Sequence, residues 1–112
     1  MLARNYSDYT MKDKKFKVFG IPWTMKFIDG PVHVDEDKTV YGETDFTERL
    51  IRVSTHNSDG KPRLQCEVEV VILHELMHCI FGEGQYHSCN EDEPLVEWCA
   101  KCLKSLIDQR VI

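Results

Sequence analysis

The 112-residue sequence contains no apolar run approaching the ~18 to 20 residues of a membrane-spanning helix. Its opening, Met1-Leu2-Ala3-Arg4-Asn5-Tyr6-Ser7-Asp8, lacks the apolar centre of a signal peptide. These absences lead to the expectation of a cytoplasmic protein that does not engage a membrane. There is neither an internal repeat nor an interdomain linker, which excludes solenoid and tandem architectures. The third absence is one of charge: from Leu64 to Ala100 there is no Lys or Arg. A stretch without basic side chains is a poor match for a phosphate backbone, so no nucleic-acid partner is expected.

That same window carries eight carboxylates, Glu67, Glu69, Glu75, Glu83, Glu91, Asp92, Glu93 and Glu97, together with three histidines and four of the five cysteines. Residues 1–30 hold six Lys/Arg against three Asp, so the formal charge of -5 divides into +3 there and -8 over the remainder. A concentrated negative field favours a bound cation. At this length a chain buries roughly two-thirds of the surface its unfolded form exposes, enough for one core without a metal staple. Any metal therefore calls for a functional reason.

Residues 1–15 are polar, with Lys12, Lys14 and Lys15 beginning a basic cluster, and are predicted to form a loosely held arm before one domain over 16–112. From Phe16 to Asp29 polar and apolar residues largely alternate around Gly20 and Pro22, which predicts a bent or two-piece strand. Val32 to Lys38 reads as loop or weak strand, Thr39 to Thr44 as a short strand, and Arg49 to Ser54 as a strand with one buried face. Pro62 suits the first turn of a helix predicted over Arg63 to Phe81, apolar on most sides, with Gly82 and Gly84 as the stop. After a loop from Gly82 to Asn90, a last helix is predicted from Glu91 to Gln109, with Pro94 in its first turn. Strands followed by two helices define an α+β domain.

Within the first helix stands His74-Glu75-Leu76-Met77-His78, an HExxH motif. Histidines four residues apart are separated by about 400° of helical rotation, so both project from one face and can hold one tetrahedral ion. Glu75 sits beside them, near enough to reach water on that ion without ligating it. From the His and Glu content, the motif arises by accident in about 2 of 100 such chains. Two imidazoles on a buried face without a ligand would also be costly.

A catalytic zinc site needs a third protein ligand and an open position. The candidates are Glu93, Glu97, His87, Asp92 and the cysteines. On the last helix Glu93, Val96, Ala100, Leu103 and Ile107 recur at three- and four-residue steps, so Glu93 continues the buried stripe. Glu97 precedes Lys101 and Lys104 by one and two turns and could form surface pairs. Yet eighteen residues separate His78 from Glu97, a spacing familiar from zinc aminopeptidases, against fourteen to Glu93. One arrangement accommodates both: Glu93 on the metal and Glu97 orienting a histidine from behind.

Leu73-His74-Glu75-Leu76-Met77-His78-Cys79-Ile80-Phe81, with Glu93-Pro94-Leu95-Val96-Glu97-Trp98-Cys99-Ala100 after an acidic turn, resembles the small zincin-like metallopeptidases of phages and prophages. More distantly the chain is similar to ImmA/IrrE-type and SprT-like peptidases. The likeness follows the order of elements over residues 16–107 and is specific over 70–103. It implies a minimal zincin-like fold, a short antiparallel sheet packed on an active-site helix and a second helix carrying a glutamate ligand. The family's metal positions carry over to His74, His78 and Glu93. Phe81 and Gly84 stand where the metzincin pattern has a glycine and a third histidine, which sets that subclass aside.

The expected chemistry is hydrolysis of a peptide bond by Glu75-assisted attack of a water bound to Zn2+, on a specific protein target because so short a chain offers a shallow groove. Tyr86 or His87 could donate a hydrogen bond to the transition state, although Tyr86 also reads as an aromatic packing over helix ends. The strand from Arg49 to Ser54 is the candidate edge for a substrate peptide. Two rival readings remain at this level. One is a phage-derived regulatory or host-interaction protein whose zincin frame binds a partner without turnover, in the host cytoplasm. The other is a thiolate zinc module using Cys99 and Cys102 with other cysteines, against which stands their place on an apolar stripe as buried thiols.

Overall fold

The computed structural model describes residues 12–34 and 38–112. Lys14–Val18 (β1) and Ile21–Ile28 (β2) form an antiparallel hairpin closed by Phe19 and Gly20, both at positive φ (+51° and +79°). A two-residue turn with two positive φ values matches the right-handed twist of the strands it joins, so the predicted bent strand is a hairpin. His33–Val34 (β3) and Thr39–Val40 (β4) make a small separate sheet. Gly42–Asp45 (β5) turns into Leu50–Ser54 (β6), with the Asp45 carboxylate accepting from the amides of Thr47 and Glu48. Of the predicted arm, residues 1–11 lie outside the described residues, and Lys14 and Lys15 belong to β1.

The four-stranded sheet has the order β1-β2-β6-β5, and β2 pairs with β6 in parallel while the other pairs are antiparallel. The expected antiparallel sheet is thus mixed, because the chain leaves β2 for β3, β4 and β5 before returning beside β2 in the same direction. β6 is an inner strand and offers no free edge. Among the described residues the free edges belong to β1 and β5, which moves the expected peptide-docking edge from β6 to β5.

Gln65–Glu83 (α1) lies across the sheet, and Glu93–Asp108 (α3) packs on its other side. The core follows from alternation: Val18, Trp23, Met25, Ile51 and Val53 on one sheet face meet Val68, Ile72 and Cys79 of α1. Trp23 is 2% exposed and meets the Phe46 ring edge-on at 5.4 Å. A side chain at Gly82 would collide with Phe46, so this glycine serves packing inside the helix, and α1 runs on to Glu83 with Gly84 as its cap. α3 is amphipathic and buries Val96 and Ala100 against α1. Its start is fixed by Asp92, whose carboxylate accepts from the Leu95 amide at 3.1 Å, with Pro94 in the first turn. A four-residue helical turn, His87–Asn90 (α2), occupies the predicted loop between them. No helix among the described residues is long and apolar enough to cross a membrane.

Candidate metal centre

The docking of α3 across α1 brings His74, His78 and Glu93 together, with one potential ligand atom from each lying within 4.8 Å of the others. The imidazole centroids are 5.0 Å apart, as one helical turn dictates. Glu93 straddles the pair, one carboxylate oxygen 3.0 Å from His74 Nε2 and the other 3.0 Å from His78 Nε2.

The opposite ring nitrogens are also held. His78 Nδ1 lies 2.8 Å from Asn90 Oδ1, and His74 Nδ1 lies 3.3 Å from a Glu97 oxygen. Both outer acceptors favour hydrogen on Nδ1, which turns the Nε2 lone pairs toward the Glu93 carboxylate. At 3.0 Å each contact is closed either by a proton on Nε2 or by one cation shared among the three groups. The donor set of two imidazole nitrogens and a carboxylate fits zinc, with the polarising partners that usually stand behind such ligands.

Glu75, next to His74 on α1, contacts β5. It is 7% exposed, and Thr44 Oγ1 donates to its Oε1 at 2.7 Å. Gly42 lets β5 approach here, since a Cβ would stand 2.8 Å from Glu75 Oε2 and 2.5 Å from Val71 Cγ1. Burial raises the Glu75 carboxyl above its ordinary range, opposed by the Thr44 hydrogen bond and by His74 and His78. A carboxylate moved upward in this way is better matched to taking a proton near neutral pH.

These groups share a cavity of about 860 Å³ that runs between β5 and α1, from Lys38 and Arg63 at one end to Asn90 and Glu91 at the other. Among the predicted site residues, His74, His78, Glu75, Glu93 and Glu97 all line it. Tyr86 and His87 do not; Tyr86 is 67% exposed, and His87 is exposed in α2. Asp92 caps α3 instead of facing the cluster.

The cysteines stand apart. All five are free, and none joins a potential metal-ligand group among the described residues. Cys79 is fully buried, and that burial pushes its thiol up to about 12.

Asn90, Thr44 and Gly42 escaped the sequence reading. No spacing rule reaches from His78 to Asn90 across α2, and Thr44 and Gly42 owe their roles to which edge of the sheet meets α1. Comparison with family profiles, curated proteins and solved structures finds no match to this chain.

Proposed function

We propose that this protein is a zinc-dependent peptidase acting on a peptide segment laid along the free edge of β5. The observation that carries the reading is the convergence of His74, His78 and Glu93 beside a buried Glu75 in one open cavity. The relation to phage-borne zincin-like peptidases rests on the resemblance of residues 73–81 and 93–100.

His74 and His78 would hold zinc through Nε2 and Glu93 through its carboxylate. When bound, such an ion supplies a Lewis acid that polarises a carbonyl oxygen and acidifies water. The remaining steps belong to the chain. β5 has no partner on its outer side among the described residues, so an extended peptide can pair with its backbone and bring a carbonyl to the cavity. Thr44 holds Glu75 in place by the 2.7 Å hydrogen bond. Glu75 accepts a proton as water adds to the carbonyl carbon. It returns that proton to the nitrogen as the C–N bond breaks, giving a free amine and a carboxylic acid. Asn90 and Glu97 keep the two rings turned with Nε2 inward. Tyr86 and His87 have no part in this sequence of events.

Replacing Glu75 by Gln removes the proton acceptor and keeps the shape. Zinc content by mass spectrometry is expected to stay at one ion per chain, while peptide hydrolysis falls by about 10²- to 10⁴-fold. Undiminished hydrolysis by Glu75→Gln would overturn the peptidase reading. Intact partner binding by a wild-type chain without turnover would favour a zinc-stabilised regulatory protein.

A further inference from the structure

The cavity is electrically lopsided. Its carboxylates Glu75 on α1, Glu93 and Glu97 on α3, and Glu91 at the end of α2 lie toward the histidines, and Glu43 is paired with Arg52 at 2.7 Å. The cations in its lining are Lys38 and Arg63. Arg63 precedes α1, so nine residues of helix separate Gln65 from His74, about 13 Å of rise.

Arg63 is held in an unusual way for a merely structural residue. Its side chain is 7% exposed, and its guanidinium lies 4.1 Å over the centroid of the Tyr41 ring. One nitrogen donates to the Ser54 carbonyl at 3.2 Å. The nearest carboxylate among the described residues, Glu67, is 3.9 Å away, too far for a hydrogen bond, and its own side chain is 54% exposed. Burial accordingly lowers the Arg63 pKa, with Glu67 only partly opposing it. The backbone attachment of this position, from the Arg63 amide to the Thr55 carbonyl at 2.9 Å, does not involve the side chain. What remains is a desolvated planar cation, supported on an aromatic face, with several N–H donors and, among the described residues, no carboxylate within hydrogen-bond distance.

We propose that Arg63, backed by Tyr41, forms a carboxylate-binding subsite at the end of the cavity remote from the histidines, so that the peptide taken by this cleft carries an acidic group there. The inference rests on the reading of the cavity as a peptide-binding cleft. A guanidinium presents paired donors that match a carboxylate fork, which a lysine cannot do. The acidic group fits this end only, since Glu91 and Glu97 repel it at the other. The acidic group is thus set apart from the scissile bond along the length of the cleft. It can be an Asp or Glu side chain or the carboxylate at a chain end.

The test uses zinc-loaded protein carrying Glu75→Gln and four fluorescent nine-residue probes of alanine, serine and one tyrosine. Two have Glu or Gln near one end with both termini blocked, and two lack Glu and end in a free carboxylate or an amide. The Glu probe is expected to bind about tenfold more tightly than the Gln probe if side chains are the source, and the free acid about tenfold more tightly than the amide if chain ends are. The discrimination disappears with Arg63→Gln added. Equal binding within both probe pairs overturns the proposal, as does discrimination that survives Arg63→Gln. If that variant fails to fold, the NMR signal of the Arg63 Nε–H in the Glu75→Gln protein decides. It shifts with the favoured acidic probe and not with its neutral partner, and an unmoved signal overturns the assignment. Because binding is read without turnover, a failure of peptidase activity leaves this result distinct.

Discussion

α1 and α3 contribute to the same cluster under different constraints. α1 is covered by the sheet on one side and by α3 on the other, so its histidines sit on a backbone fixed in two directions and expose only 18% and 12% of their side chains. α3 has a single buried stripe, and Glu93 occupies its first turn with 64% of the side chain exposed. The imidazoles are therefore set in position by folding, whereas the carboxylate is held chiefly by what it binds. Metal affinity should then fall more steeply on losing a histidine than on losing the glutamate.

The sharpest challenge to that contrast is a direct comparison of ligands. His74→Ala or His78→Ala is expected to weaken zinc binding by about 10³-fold or more, and Glu93→Gln by about 10²-fold, read by competition with a chromogenic chelator. Equal losses would mean that α3 is as firmly set as α1. Behind the ligands the effect is smaller: Asn90→Ala is expected to cost about 10- to 100-fold in zinc affinity in the same assay, because it frees the His78 ring to turn.

Packing offers a test that does not involve metal. Gly42→Ala drives a methyl into Val71 and Glu75 on the sheet side of α1, and urea unfolding should register a loss of about 1–3 kcal/mol. Trp98→Ser, on the 65%-exposed face of α3, should change stability by no more than about 0.5 kcal/mol.

A comparably small effect concerns the seam between the helices. Burial raises the Glu69 carboxyl above its ordinary value, with Lys104 opposing the shift. An acid whose pKa is higher in the folded protein destabilises it when ionised. That penalty is present above the folded value and absent below the unfolded one, ~4. Glu69→Gln should therefore raise stability at pH 7 by under about 1 kcal/mol, with the gain vanishing near pH 3 in thermal melts.

The helical half of the molecule was legible because its signals are local. Four-residue spacing put His74 and His78 on one face, and the apolar phase of residues 96–107 set Glu93 on the side of α3 that meets them, although at the helix start its side chain is 64% exposed and not part of the buried stripe. The sheet was less legible because alternation reports a buried face and not the neighbours. Leu50 to Ser54 alternates whether it lies inside a sheet or at its edge, and only the return of the chain beside β2 decides this. Phe19 gave no turn signal, since an aromatic residue at positive φ is disfavoured and is tolerated here by Gly20 beside it. Gly82 looked like a helix stop, but the Phe46 ring that packs against it comes from 36 residues earlier in the chain. Asn90 depended on that mistake, because its position follows from where α1 ends.

Glu83, at the last turn of α1, receives Arg49 Nε at 3.2 Å and Trp23 Nε1 at 3.4 Å, while just ahead of the helix the Arg63 amide is tied to Thr55. In mechanical language α1 is a beam clamped to the sheet at both ends, and the first turn of α3 is a cantilever leaning on its middle. A load applied in the cleft would be taken up by displacement of the cantilever. Widening the entrance for a bulkier guest thus leaves the histidine geometry intact and draws on the span from α2 to Glu93, which makes that short span the natural place for the dimensions of the cleft to be altered.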